Sequence, residues 1–234
     1  MPRETGRIHI LTSFDEALSD LRSVVVMMRD LTDRNLVNAA RGFFERDDSR
    51  CKIAIADDEE IDLLEMQIDR DGIEVLRRFQ PVARDLRNVV STMKICYNLE
   101  RTGDQAVNIA RRACKLNQSI ELPEVEMLMP MYERAISMFR ESFRTYLEED
   151  VSVAIQFKDR DRELDEMNHE VAAQFTECMS NYPDRVSNYL NLLFIAGHFE
   201  RIGDLAKNIA EDAVYSASAE DIRHLKSRRD PLCE

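Results

Sequence analysis

Glu100, Asp104 and Asn108 stand four residues apart, as do Glu200, Asp204 and Asn208. On an α-helix that spacing stacks side chains one turn apart on one face, so each set forms an axial row of oxygen donors. Shorter rows, Asp58 with Asp62 and Asp161 with Asp165, occur in other segments. Like charges at this spacing repel by roughly 0.2–0.5 kcal/mol per pair, so compensation is expected. Arginine is one source: Arg101 and Arg201 sit beside the two rows, and Arg84, Arg87 and Arg185 lie in the same segments. A bound cation is the other. If Asp58 and Asp62 faced Glu100 and Asp104, and Asp161 and Asp165 faced Glu200 and Asp204, four carboxylates from two helices would surround one or more ions in each place. All-oxygen ligation suits Mg²⁺, Ca²⁺ or Mn²⁺, and iron also tolerates carboxylates. The scarcity of nearby imidazoles and thiols speaks against a closed structural zinc site.

A carboxylate-bridged di-iron oxidase is the concrete enzymatic alternative. Such bundles use two Glu-x-x-His motifs on separate helices, and this chain offers Glu166-x-x-His169 without a matching partner, since Ile195 precedes His198 at that offset. No nucleophile elbow or triad spacing occurs, and the six glycines form no phosphate-cradling loop. A non-enzymatic protein is therefore expected.

The elements that must position these residues are helices. The 234-residue chain has only six Gly and six Pro, too few for a turn-rich β fold, while 44 % apolar residues supply a substantial core. Its net charge of −13 disfavours nucleic acid, the best basic run being Lys226 to Arg229. No apolar run approaches the roughly 20 residues that cross a bilayer, and no signal-peptide core is visible near the start, so a cytoplasmic location is expected. Five cysteines, 51, 96, 114, 178 and 233, without a Cys-x-x-Cys pair, read as reduced thiols.

Apolar periodicity predicts six long helices. The first opens at Thr12 to Glu16, where Ser13 and Glu16 read as a capping box, and runs to about Arg46. The others span about 50–79, 81–117, 130–149, 151–181 and 183–217, with Pro81, Pro130 and Pro183 in first-turn positions. The expected organisation is all-α, with a three-helix bundle over 10–118, a second over 123–217 and a polar tail over 218–234. Short connections make neighbouring helices antiparallel.

The halves repeat one another. Glu100-Arg101-Thr102-Gly103-Asp104-Gln105-Ala106-Val107-Asn108-Ile109-Ala110 stands one hundred residues before Glu200-Arg201-Ile202-Gly203-Asp204-Leu205-Ala206-Lys207-Asn208-Ile209-Ala210, with eight of eleven positions identical. Asp58 to Asp62 echoes Asp161 to Asp165 at a similar offset, which marks a duplicated structural unit. Gly103 and Gly203 lie inside these helices, where each costs roughly 1 kcal/mol against Ala, so a neighbouring helix or a ligand is expected to approach the backbone there.

Gln80-Pro81-Val82-Ala83-Arg84-Asp85-Leu86-Arg87, the Asn98 to Asn108 segment, its second copy His198 to Asn208 and the stretch Glu220 to His224 together resemble the PhoU family of phosphate-transport accessory and regulatory proteins. The resemblance runs from about residue 10 to 224. It implies two similar three-helix bundles acting in the cytoplasm near the membrane, with the ATPase of a phosphate ABC transporter and a phosphate-sensing histidine kinase as partners, and a homodimer. It also implies metal ions (Fe, Zn, Mg or Mn) on the acidic motifs, here Asp58, Asp62, Glu100, Asp104, Asp161, Asp165, Glu200 and Asp204, with Asn108, Asn208, Arg101 and Arg201 as secondary residues. The second copy lacks the Gln-Pro-Val-Ala-Arg-Asp-Leu-Arg opening, so the two sites are expected to differ in affinity. Eleven methionines, Met27, Met28, Met127, Met129, Met131 and Met138 among them, suit both a core and an adaptable docking surface. A ligand-free scaffold, insensitive to chelators, is the third reading.

Overall fold

A computed structural model describes residues 3–150, 152 and 154–222. Cys233, the basic run Lys226 to Arg229 and the end of the family-like stretch at Arg223 and His224 lie outside the described residues, as does most of the polar tail. Six α-helices follow in order: α1 Arg3–Phe44, α2 Asp48–Phe79, α3 Ala83–Asn117, α4 Met129–Glu148, α5 Ala154–Asn181 and α6 Val186–Ser218. Short 3-10 segments at Pro123–Leu128 and Pro183–Arg185 lead into α4 and α6. Among the described residues there is no strand.

Local chemistry explains the breaks. Asp47 caps α2 by accepting hydrogen bonds from the Ser49 and Arg50 amides at 2.8 and 3.3 Å, the usual role of a carboxylate before a first turn. Gln80 closes α2 in the left-handed region at φ 47°, its N–H donating to the Leu76 carbonyl. Pro81 precedes α3 and does not begin it, because the helix starts at Ala83. The first helix departs further from expectation. It begins at Arg3, so Ser13 and Glu16 lie in its interior and form no cap box at its start. Propensity continues across Thr12 without a proline or glycine stop, and an internal Ser does not end a helix whose neighbours favour it.

The fold is two tandem three-helix bundles, α1–α3 and α4–α6. In α4 the buried residues Met131, Ala135, Met138, Phe139, Ser142, Phe143 and Tyr146 recur at three- and four-residue steps, which is the stripe a bundle helix must bury. Met28, Met131 and Met138 belong to the core, whereas Met27 and Met66 are exposed.

The bundles do more than share a linker. One continuous apolar core runs from Val25 and Phe43 through Leu99 and Ala106 to Ile202, Ala206, Phe139 and Phe175. Its spine is α3 packed against α6. Asn88 meets Ser216 at 2.8 Å, Lys94 meets Asp212 at 3.4 Å, Gln105 meets His198 at 2.9 Å and Arg112 meets Asn191 at 3.3 Å. As one number rises the other falls, so the helices are antiparallel. Under the hundred-residue offset of the repeat, positions 94 and 212 exchange with 194 and 112. Those positions hold the Lys94–Asp212 ion pair on one side and, on the other, the Arg112 guanidinium 3.8 Å over the Phe194 ring. The α3–α6 contact therefore lies on the pseudo-twofold axis that relates the halves. Phe44 stacks parallel to Phe199 at 6.4 Å, and Tyr132 packs against both, binding α1, α4 and α6 together. His198, in the α3–α6 contact, is held near a pKa of about 4 by burial and by Arg112 and Arg201, so it is neutral at pH 7 and serves packing.

Candidate functional site

Each acidic row lies along a seam between two helices. Gly103 lets α3 approach α2: a Cβ there would stand 3.0 Å from Ile61 Cδ1 and 3.9 Å from Asp58 Oδ1. Gly203 does the same for α6 and α5, where a Cβ would come within 2.4 Å of Leu164 Cδ2. The repeated glycines thus serve helix approach, and that approach is what brings carboxylates of two helices face to face.

At the α2–α3 seam, Asp58, Asp62, Glu100 and Asp104 feel one another's charge. Burial, then Asp104, Glu65, Asp62 and Asp58, push the Glu100 carboxyl up to about 7. Burial, Asp62 and Asp104 raise Asp58, which Arg111 partly offsets. The seam contains two acids that the repeat comparison did not single out. Glu65 is raised by burial and by Asp69, Asp62 and Asp104, and Asp69 stands one turn beyond it. The signal was present: Asp58, Asp62, Glu65 and Asp69 follow four-, three- and four-residue steps, which is one helix face. The repeat does not mark them, because the second copy carries Asn168 and Ala172 at the equivalent places.

The arginines that the sequence offers as one compensation form no ion pair with the first row. Arg84 pairs with Glu149 at 2.7 Å, Arg101 lies over the Tyr97 ring and Arg185 over Tyr182. On α2, Arg34 reaches Asp57 and Glu60, on a neighbouring face. Among the described residues no ion pair neutralises Asp58, Asp62, Glu65, Asp69, Glu100 or Asp104. Asn108 and Asn208 are half-buried one turn beyond their rows, and Arg201 is exposed.

The α5–α6 seam brings together Asp161, Asp165, Glu200 and Asp204, whose mutual repulsion, after burial, raises Glu200. It differs in one residue. The Lys207 ammonium lies 2.5 Å from Asp161 Oδ2 and 2.7 Å from Asp204 Oδ1, bridging the two helices. Burial works against its charge, but the hydrogen bonds that it donates to the two aspartates outweigh that and raise its pKa. The first copy has the buried Val107 at this position.

Among the described residues, no three Asp, Glu, His or Cys side chains converge closely enough to hold a metal ion. The chemistry of the donor sets still separates the seams. The six oxygen-bearing groups without a paired cation at the first seam are of the chemical type that a hard metal ion takes, although they do not converge on one point. The second does not fit one while Lys207 spans it. The di-iron alternative fails on placement: Glu166 and His169 are both exposed, whereas that chemistry needs them projecting into the bundle interior. Cys51 is buried and Cys114 half-buried, both as free thiols; burial and the adjacent Cys114 push Cys51 up to about 12, so it is a poor nucleophile.

Comparison with known proteins agrees with this architecture. The PhoU domain model matches residues 25–113 and 128–213, once in each bundle. A phosphate-specific transport system accessory protein PhoU homolog of Zymomonas mobilis is 31 % identical over 224 residues, covering 96 % of this chain and 94 % of its own. One from Xylella fastidiosa is 30 % identical over 214 residues, covering 92 % and 90 %. The crystal structure of PhoU from Pseudomonas aeruginosa superposes with a TM-score of 0.86 at 28 % identity, over 88 % of this chain and all of that one. That of the phosphate transport system regulatory protein PhoU from Streptococcus pneumoniae gives 0.80 at 25 % identity, over 89 % and 99 %. The chain belongs to the PhoU family.

Proposed function

We propose that this protein is a non-enzymatic regulator of phosphate uptake and of the phosphate-starvation response. It acts in the cytoplasm, as a homodimer, by docking on the ATPase of a phosphate ABC transporter and on a phosphate-sensing histidine kinase. The observation that carries this reading is the family match in both bundles together with full-length relatives named as accessory proteins of phosphate transport. No helix among the described residues is long and apolar enough to cross a membrane, which suits attachment through partners. Exposed Met27, Met66, Leu63 and Ile73 offer apolar surface on α1 and α2 for such contacts.

At the first seam, Asp58, Asp62, Glu65, Glu100 and Asp104 are the residues that would hold a hard divalent cation. The ion would supply the positive charge that the seam lacks. The residues themselves set the response: with the seam neutralised, α2 and α3 pack together without mutual repulsion.

The test is retention of the tagged protein on membranes carrying the phosphate transporter, combined with deletion of its gene. Deletion should derepress starvation genes in phosphate-rich medium, and Asp104→Asn should weaken repression. A protein that washes freely from those membranes, with repression unchanged in the deletion strain, would sink the proposal.

A further inference from the structure

We infer that Lys207 is a built-in counter-cation, holding in the second half the place that a free cation takes in the first, so that only the first half responds to metal in solution. The inference rests on the cation reading of the first seam, but its evidence lies in the second.

Three observations support it. The Lys207 ammonium joins one carboxylate from each helix, Asp161 of α5 and Asp204 of α6, at 2.5 and 2.7 Å. A bridging ion would have to make that same connection. Next, the residue at the equivalent place in the first half is Val107, which is buried and carries no charge. Finally, the acids change in step with the lysine. The first seam has six carboxylates, whereas Asn168 and Ala172 replace two of them in the second. A single ammonium faces a formal charge of −4 there, against −6 without a lysine in the first.

The physical consequence is a difference in concentration dependence. A tethered ammonium is present at a fixed effective concentration whatever the medium contains, whereas a free ion stabilises by mass action. For a divalent ion to enter the second seam it must drive Lys207 into solvent and forfeit two charge-assisted hydrogen bonds. The α2–α3 seam is thereby exposed to metal supply, and the α5–α6 seam is insulated from it.

The experiment uses the full chain, thermal melts with and without MnCl₂, and bound manganese measured after desalting. Asp62→Asn with Asp104→Asn disables the first seam at two exposed positions. In that background, Lys207→Met should bind manganese and gain a metal-dependent rise in melting temperature of about 2–4 °C or more. Lys207→Arg, which keeps the charge, should not. Lys207→Gln is the second neutral variant, read in the same way if Lys207→Met proves insoluble. Neutral variants that neither bind manganese nor respond to it overturn the inference, as does loss of the wild-type manganese response in Asp161→Asn with Asp204→Asn. A wild-type protein indifferent to manganese, beside a responsive Lys207→Met variant of the disabled background, would remove the first-seam reading while leaving the role of Lys207 intact.

Discussion

The two seams descend from one repeat and solve the same electrostatic problem in different ways. Between α2 and α3, six carboxylates face one another without a paired cation, and Glu100 is raised to about 7. Between α5 and α6, four carboxylates surround Lys207, which ties Asp161 to Asp204. A duplicated fold thus keeps its backbone scaffold, glycine included, while the charge on each copy diverges. The first copy is left with unfavourable repulsion that an external ligand can relieve; in the second, Lys207 offsets part of it.

Removing the lysine is the strongest way to break the contrast. Lys207→Met strands Asp161 and Asp204 at a half-buried seam. Charge-assisted hydrogen bonds are worth roughly 1.5–3 kcal/mol, and discounting for the partial exposure of Asp204 leaves an expected loss of about 1–2 kcal/mol, read as a lower urea midpoint. Val107→Ala, its counterpart, should cost only two core methyl groups and leave the acids' titration unmoved.

Helix approach gives the next largest difference. Gly203→Ala pushes a Cβ to 2.4 Å from the buried Leu164, and Gly103→Ala places one 3.0 Å from Ile61. Overpacking costs about 1–3 kcal/mol, and the gain in helix propensity returns about 1. Gly203→Ala should therefore destabilise by about 1 kcal/mol, and Gly103→Ala should be close to neutral. Equal effects would show that the seams are packed alike.

The smallest effect is on pH dependence. Glu100 lies above its unfolded value of 4.5, at about 7 in the fold. The folded chain therefore binds more protons than the unfolded chain across that window, and stability falls as pH rises through it. The contribution is fully present below about 4.5 and gone above about 7. Glu100→Gln should flatten this slope and stabilise the protein at pH 8 by about 0.5 kcal/mol, the scale of one relieved like-charge pair. An unchanged slope in denaturation curves between pH 5 and 7.5 would mean that the first seam is not repulsive.

Much of this was legible in the residues. The four-residue spacing of Glu100, Asp104 and Asn108 fixes a shared face, and the hundred-residue echo marks a duplication, because both are local patterns. The start of α1 was not legible, since a Ser–Glu pair resembles a cap whether or not the helix has already begun. The arginines beside the rows suggested internal pairing, but Arg84 and Arg101 turn to Glu149 and Tyr97. Comparing the halves also hid what mattered. Repetition marks only shared residues, whereas Glu65, Asp69 and Lys207 differ between copies.

The sequence by itself determined the helices, their apolar stripes and the acidic faces, because those follow from contacts within a few turns of one chain segment. Only the tertiary structure decided that α3 and α6 run antiparallel along the axis between the halves. It alone placed Lys207, forty-six residues from Asp161, between two carboxylates. Electrostatic energy depends on distance in space, and sequence spacing carries no measure of that between helices.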